Sequence, residues 1–230
     1  RDLRLEDNTG LTEALRSDLP VLPVFIFDTN ITGELPADDP RISFIYETLL
    51  SINSKLSSYR SSLYILKDDP VTAWHSLIKT FDIAGVYFNR DYEPYAAGRD
   101  SAVTSLLKGK GISVRDYKDQ VIFEGGEILR PEGGPYTVFT PYKKRWLAKV
   151  NAILPCSPAS TVIRSGNFMP SSFQFPSIGQ IGFKKSHITV SPYYLSVIDE
   201  YDKFRDIPSA DRTSYLSPHL RFGTVSIREI

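Results

Sequence analysis

The chain is poor in cysteine. Its 230 residues hold one, Cys156, which excludes an internal disulfide framework and any multi-cysteine metal cage within them. A long apolar run is also lacking, and none approaches the ~18 residues a membrane span needs. Net charge is absent, with 27 Lys+Arg against 27 Asp+Glu, so the chain as a whole makes no electrostatic case for a nucleic-acid binder. No G-x-x-x-x-G-K-[ST], G-x-G-x-x-G or G-x-S-x-G occurs, which removes the P-loop, the dinucleotide fingerprint and the nucleophile elbow. His75, His187 and His219 share no metal-ligand spacing. His75, beside Trp74, reads as packing, and Cys156 as a passive thiol without a base partner. Hydrolysis therefore has no visible apparatus, and an enzyme built this way would leave the hard step to a cofactor.

One absence is local. Residues 133–198 contain no Asp or Glu but carry Lys143, Lys144, Arg145, Lys149, Arg164, Lys184 and Lys185, a charge of +7. The remaining charge is −6 over residues 1–132 and −1 over 199–230. Such a block is either a solvated, Ser/Pro-rich connection or a face for a polyanion.

A hydrophobic content of 41% with 12% aromatics supports a real core. Residues 19–27 and 62–66 read as buried strands, as do 85–89 and, more weakly, 112–116. Between them lie helical patterns. Ile42, Ile45, Leu49, Ile52 and Leu56 form one stripe behind Asp39-Pro40. Asp69-Pro70 opens a second helix with Val71, Trp74, Ile78 and Phe81 on one side. A third helix, over 95–108, stops at Gly109 and Gly111. This alternation predicts an α/β fold: a doubly wound, Rossmann-like parallel sheet covered by helices, with ligands beyond the carboxyl ends of its strands. The segment Asn89–Tyr95 lies at one such end, either as a ligand loop or as a turn with an acidic helix cap.

Beyond about residue 125 the pattern changes. A helix is expected from near Pro141 to about Leu154. Residues 155–192 are rich in Ser and Pro and read as a connection lying on the surface. Tyr194, Val197, Tyr201 and Phe204 predict a helix over 193–204, and Thr213 to Ile230 reads as helix–turn–helix broken at Gly223. The organisation is thus 1–130 as the α/β domain, 131–192 as helix and connector, and 193–230 as the start of a helical domain. Opening at Arg1 and stopping inside a helical pattern, the sequence is expected to be a trimmed piece of a larger protein, with no secretory signal in its charged first residues.

Four segments carry a resemblance. They are Arg1-Asp-Leu-Arg-Leu-Glu-Asp-Asn8; Asp91-Tyr-Glu-Pro-Tyr95 with Arg99-Asp100; Tyr136-Thr-Val-Phe-Thr-Pro-Tyr-Lys143 with Trp146; and Tyr201-x-x-x-Arg205-Asp206 followed by Thr213-Ser-Tyr-Leu-Ser-Pro-His-Leu-Arg-Phe-Gly223. In this order and spacing the chain resembles the DNA photolyase/cryptochrome family over its N-terminal antenna-binding α/β domain, its connector and the first helices of its FAD-binding domain. The family has a further strand ahead of the Arg1–Arg4 motif, central in the sheet, which this sequence lacks.

The resemblance implies FAD as cofactor, with Tyr201 lining the flavin and Thr213, Ser214, Tyr215, Leu216 and Ser217 in the loop at its phosphate side. Three hydroxyls and the adjacent amides suit a pyrophosphate, and equally suit a plain helix cap. Tyr215 stands where many members have Arg. Arg205 matches a position used for the DNA backbone, the bland alternative being an ion pair with Asp206. Arg41, Asp91 and Glu93 match residues around a second, antenna chromophore of deazaflavin or flavin type. The folate type has Glu where this chain has Ala96. If 91–93 is extended, Asp91 and Glu93 alternate and need not face one ligand.

The implied activity is light-driven DNA repair by a deoxyribodipyrimidine photo-lyase. It would split cyclobutane pyrimidine dimers by electron transfer from photoexcited reduced FAD, and the present residues alone would be inactive. The implied setting is a cytoplasmic monomer that meets damaged DNA and no membrane. The alternative is a cryptochrome-type blue-light flavin photoreceptor. Without the resemblance the residues describe a generic nucleotide-binding α/β domain.

Overall fold

Short runs rich in β-branched and aromatic residues alternate with capped amphipathic helices along the first half of the chain. The computed structural model describes residues 1–153 and 167–230. In chain order the elements are α1 (Thr9–Leu15), β1 (Val24–Asp28), α2 (Thr29–Thr32), α3 (Pro40–Ser57), β2 (Tyr64–Asp68) and α4 (Pro70–Thr80). They continue with β3 (Gly85–Asn89), α5 (Pro94–Gly109), β4 (Ser113–Tyr117), α6 (Phe139–Ile153), α7 (Tyr201–Phe204) and α8 (Leu216–Phe222).

The helix starts follow local chemistry. Asp39 accepts the Arg41 amide at 2.9 Å, Asp69 accepts those of Val71 and Thr72, and Pro occupies the first helical position in both cases. Asn8 caps α1, a helix absent from the sequence expectation, by accepting from the Leu11 amide at 3.1 Å.

All pairing is parallel, as expected, but the sheet is in two halves. β1 pairs with β2 from Val24↔Tyr64 to Asp28↔Asp68, and β3 with β4 from Gly85↔Ser113 to Asn89↔Tyr117. Among the described residues no strand joins the halves. Across this division the Tyr95 hydroxyl, at the start of α5, donates to Asp28 Oδ2 at the end of β1 (2.6 Å). The carboxyl ends of the two pairs therefore meet at one edge.

Each half has its own core. Leu49, Leu56 and Phe27 centre the first, and Val86, Val103, Leu107 and Ile112 the second. The first core corrects the surface reading of the connector. Phe168, Ile181 and Phe183 are buried in it, and Val21 exchanges backbone hydrogen bonds with Asn167 and Met169. These aromatic and aliphatic residues are too widely spaced to show a period, yet burying them is worth about 1.5–3 kcal/mol each, so the segment is bound down. Cys156, Arg164 and the expected helix end near Leu154 lie outside the described residues. His75 is exposed rather than packed.

The helix expected over 193–204 is a 3₁₀ turn (Leu195–Glu200) followed by the single α-turn of α7, and none of these residues is buried. A short helix without a partner for its apolar stripe has little to hold it. The second helix of the expected pair after Gly223 is likewise a turn.

What replaces it is a buried polar clamp. The Asp119 side chain, fully enclosed, accepts hydrogen bonds from Arg4 Nη2 (2.6 Å), Arg228 Nη2 (2.8 Å), and the amide and hydroxyl of Thr9 (3.0 and 2.9 Å). Arg228 also reaches Asp7 Oδ2 at 2.7 Å and the Asp119 carbonyl at 2.8 Å, and the Ser226 hydroxyl donates to Asp7. Arg4 reaches the carbonyls of Asp7 (2.8 Å) and Gly223 (3.1 Å). Burial pushes the Asp119 pKa up, but the charge of Arg4, the bonds from Arg228 and Thr9 and that from Arg4 outweigh it and hold the carboxyl below its usual range.

Gly223 completes the junction. Its φ is +68°, and a Cβ there would sit 1.9 Å from the Arg1 carbonyl oxygen. The Leu3 amide donates to the Phe222 carbonyl at 3.1 Å.

Two outcomes follow from this junction. Asp119→Ala strips the buried Arg4 of its carboxylate partner and Arg228 of one of its two, and should cost about 3–5 kcal/mol, read as a lower urea midpoint. Gly223→Ala should destabilise at least as clearly, because both the backbone and the Arg1 contact forbid a side chain. Since the folded pKa of Asp119 lies below the unfolded one, its contribution is complete above about pH 4 and is lost as the pH falls through the folded value. An acid titration followed by circular dichroism should show that loss in the native chain and a blunted one in Asp119→Asn.

Candidate functional site

Two groups of residues stand out, one at the carboxyl edge of β3 and one beside α8. At the first, β3 ends in Asn89, and the loop to α5 presents Asp91 and Glu93. Asn89 is itself tied to the N-terminal segment. Its Oδ1 accepts the Gly10 amide at 2.8 Å, and its Nδ2 donates to Asp2 and to Asn8, each at 2.8 Å.

Both loop carboxylates meet the Arg1 guanidinium. Asp91 lies 3.2 Å from Arg1 Nε, and Glu93 pairs with Arg1 Nη2. They thus face one group, which alternation along an extended stretch does not require. Glu93 sits at the N-cap position of α5 but caps nothing; Asp91 Oδ1 instead accepts the Glu93 amide at 3.2 Å. Arg221 of α8 reaches Glu93 at 2.5 Å. The hydrogen bond from Arg221, with the charges of Arg1 and Arg221, holds the Glu93 carboxyl below its usual range, and the same contact raises Arg221.

Arg41 is not part of this group. At the start of α3 it grips Asp39 with Nε (2.9 Å) and Nη2 (2.6 Å). That bond lowers Asp39 and raises Arg41. The sequence assigns no role to Arg1 or Arg221, although both lie inside the motif segments.

The second group lines an open groove of about 430 Å³ walled by Ile198, Tyr201, Asp202, Ser214 and Leu216. Three of the six residues expected at a flavin thus converge, although Tyr201 and Leu216 stand on different helices. Thr213 and Ser217 present exposed hydroxyls beside it, and no acid lies in the first turn of α8. Tyr215, at φ +54°, ends the loop without capping α8. Its hydroxyl bonds Asp211, and its ring meets Tyr194 edge-on at 6.3 Å. The Asp211 bond and charge raise the Tyr215 pKa.

The other end of α8 is anchored by His219. Its Nε2 lies 3.0 Å from the Ser191 carbonyl and its Nδ1 2.8 Å from Thr224 Oγ1. The carbonyl can only accept, so Nε2 carries a proton.

Arg205, at the end of α7, is exposed and faces Asp206 at 3.6 Å, the bland alternative for that residue. In the basic block Lys149 bonds the Glu127 carbonyl and Lys185 pairs with Glu47, whereas Lys143, Lys144 and Arg145 stand exposed on α6.

Because the Glu93 pairs lie at the surface, Glu93→Gln should leave stability nearly unchanged. The measurable effect should be a freed α8 end, seen as faster amide exchange at residues 219–223.

The chain matches the family model for DNA photolyase over residues 1–159. Among curated proteins it is 28% identical to the deoxyribodipyrimidine photo-lyase of Halobacterium salinarum, covering 100% of this chain and 52% of that protein. It is 29% identical to the one from a Synechococcus strain (100% and 51%), and 25% identical to cryptochrome-1 of Arabidopsis thaliana (100% and 36%). Among solved structures it resembles an archaeal photolyase from Sulfolobus tokodaii, crystallised with two FAD molecules, at a TM-score of 0.68 and 25% identity over 100% of this chain and 52% of that one. A class III photolyase from Agrobacterium tumefaciens shares the fold at a TM-score of 0.75, with 23% identity over 98% and 49% of the two chains. The chain spans about half the length of these photolyases. With more than half of its residues matched by the family model, and the same α/β fold in the solved structures, the chain belongs to the photolyase/cryptochrome family.

Proposed function

We propose that these residues serve a light-driven DNA-repair enzyme that splits cyclobutane pyrimidine dimers. They would supply its antenna-binding α/β domain (1–130), connector (131–192) and the opening of its FAD-binding domain (193–230). The observation that carries the reading is the convergence of Tyr201, Ser214 and Leu216 on one groove beside the exposed hydroxyls of Thr213 and Ser217.

The residues fit the phosphate side of FAD. Hydroxyl donors and an α8 first turn without acids suit an anion, and Asp202 on the groove wall suits a hydroxyl of the ribose kind. FAD, bound in its reduced form and excited by blue light, supplies the electron that opens the dimer. In this reading Thr213, Ser214 and Ser217 bind the pyrophosphate, Tyr215 and Leu216 shape the loop, and Tyr201 packs against the flavin. Ile198 and Leu216 keep water from the apolar wall.

Arg205, held only at 3.6 Å by an exposed carboxylate, is free to meet a DNA phosphate. A dimer is a weakly stacked site, which lowers the cost of turning it out of the duplex to a few kcal/mol or less.

For the antenna, the arrangement favours a flavin-type pigment near Asp91 and Glu93. Buried Ala96 offers no carboxylate to a folate, and the Sulfolobus photolyase carries a second FAD. A pigment there would bind against carboxylates already paired with Arg1 and Arg221, and Arg41 would contribute only by leaving Asp39. The setting proposed is a cytoplasmic monomer; no described helix is long and apolar enough to cross a membrane.

A second reading, a blue-light photoreceptor without repair, is supported by the match to Arabidopsis cryptochrome-1 across the whole of this chain.

The deciding experiment is a visible spectrum of the natural polypeptide that carries this sequence, followed by blue-light repair of thymine-dimer DNA with a reductant present. Flavin absorbance with repair is expected. Flavin without repair would favour the photoreceptor, and folded protein without flavin would end both. Arg205→Gln should weaken damaged-DNA binding and reduce the salt dependence of log K by about one phosphate, a slope change near 0.9.

A further inference from the structure

The loop Thr213–Ser217 hangs on a weak support. α8 has seven residues, and no side chain caps its start. A helix this short has no stability of its own. On the loop's N-terminal side the ties are exposed: the Tyr194 amide on the Ser214 carbonyl at 2.9 Å, and Tyr215 on Asp211. Its position has to be set from the other end of α8.

There the contacts are buried and charged. Arg4 joins three groups with one guanidinium: the Gly223 carbonyl that ends α8, the Asp7 carbonyl and the Asp119 carboxylate. Past Gly223 the chain stays enclosed, with Val225 and Ser226 buried, until Arg228 returns to the same carboxylate. Asp119 is therefore bonded to both sides of the α8 terminus, through Arg4 before it and Arg228 after it. The remaining carboxylate partners are the Thr9 amide and hydroxyl at the start of α1, so the anchor point belongs to the α/β half.

We propose that Arg4, Asp119 and Arg228 are positioning residues for the flavin-side loop: they set α8 by its C-terminal end, so that loss of the Asp119 charge weakens flavin binding without any contact between Asp119 and the flavin. This rests on the flavin reading given above. An amide at 119 accepts with one oxygen where the carboxylate accepts four bonds with two, and its NH₂ faces guanidinium donors. One arginine loses its carboxylate contact and is held by its remaining partners alone, and α8 gains freedom in the direction that moves Ser214 and Ser217.

The test uses the natural polypeptide that carries this sequence, stripped of cofactor, with FAD as probe. Dissociation constants are measured well below the melting temperature of each variant, so only folded protein is read. Asp119→Asn is expected to raise the constant about tenfold, equivalent to ~1.4 kcal/mol. It should leave binding at one FAD per site and blur the fine structure of the bound flavin band. Arg228→Lys, which keeps the charge, should lie between it and the unmodified protein.

A folded Asp119→Asn protein with unchanged affinity and band shape overturns the proposal and leaves the clamp a stability device alone. Should Asp119→Asn not fold, Arg228→Lys and Ser226→Ala, which loosen the clamp and leave Asp119 in place, are judged by the same criterion. Absence of FAD binding by the unmodified protein overturns the flavin reading itself, and the proposal with it.

Discussion

The structure turns on one buried carboxylate. Asp119 is taken wholly out of water, a step that costs several kcal/mol for an isolated ion. The cost is offset because four donors close on it: two arginines, an amide and a hydroxyl. Three stretches far apart in sequence are thereby held at one point, namely the N-terminal motif, the segment after β4 and the segment after α8. Withdrawing the segment after β4 would leave the buried Arg4 without its carboxylate partner. Such a pair is poor evidence of net stability, since apolar residues of similar size often pack as well. What it provides is geometry: Arg4 can satisfy Asp119, Asp7 and Gly223 only with the Gly223 turn at that distance and orientation.

The same logic, weakened by solvent, operates at the β3 edge. Asp91 and Glu93 share Arg1, and Glu93 also holds Arg221. These pairs lie at the surface, with Glu93 and Arg221 about half exposed, so they add little to stability. Their interest is where they lie, between the carboxyl edge of a parallel strand pair, where α/β folds place ligands, and the end of the helix that carries the loop proposed to meet the flavin. The two proposed chromophore regions are thus joined by ion pairs at the surface and by the Asp119 clamp beneath.

The elements that could be read from the sequence were those whose signals are local. Asp39-Pro40 and Asp69-Pro70 announced α3 and α4 because a cap and a first-turn proline act within four residues. The stripe from Ile42 to Leu56 marked the buried face of α3. Gly85–Asn89 was placed to the residue. The stripe Tyr194–Phe204 misled, because a 3.6-residue period says which face would be buried but not whether anything is there to bury it. The connector misled in the opposite sense: Phe168, Ile181 and Phe183 have no period, yet each enters a core built by distant residues. Among the candidate site residues, Tyr201, Ser214 and Leu216 do converge, whereas Arg41 is engaged by a neighbour two residues away.

Residue order alone was enough to establish the α/β class, the parallel pairing, most helix starts and the family to which the motifs belong, since each depends on periodicity, capping or short-range spacing. The three-dimensional arrangement alone revealed that the connector is bound down and that Asp119 is an anchor. Nothing near Asp119 in the chain distinguishes it from any other surface-type aspartate. Its role is created by Arg4, 115 positions before it, and Arg228, 109 after it, and a charge becomes an anchor only when folding removes the water that would otherwise have satisfied it.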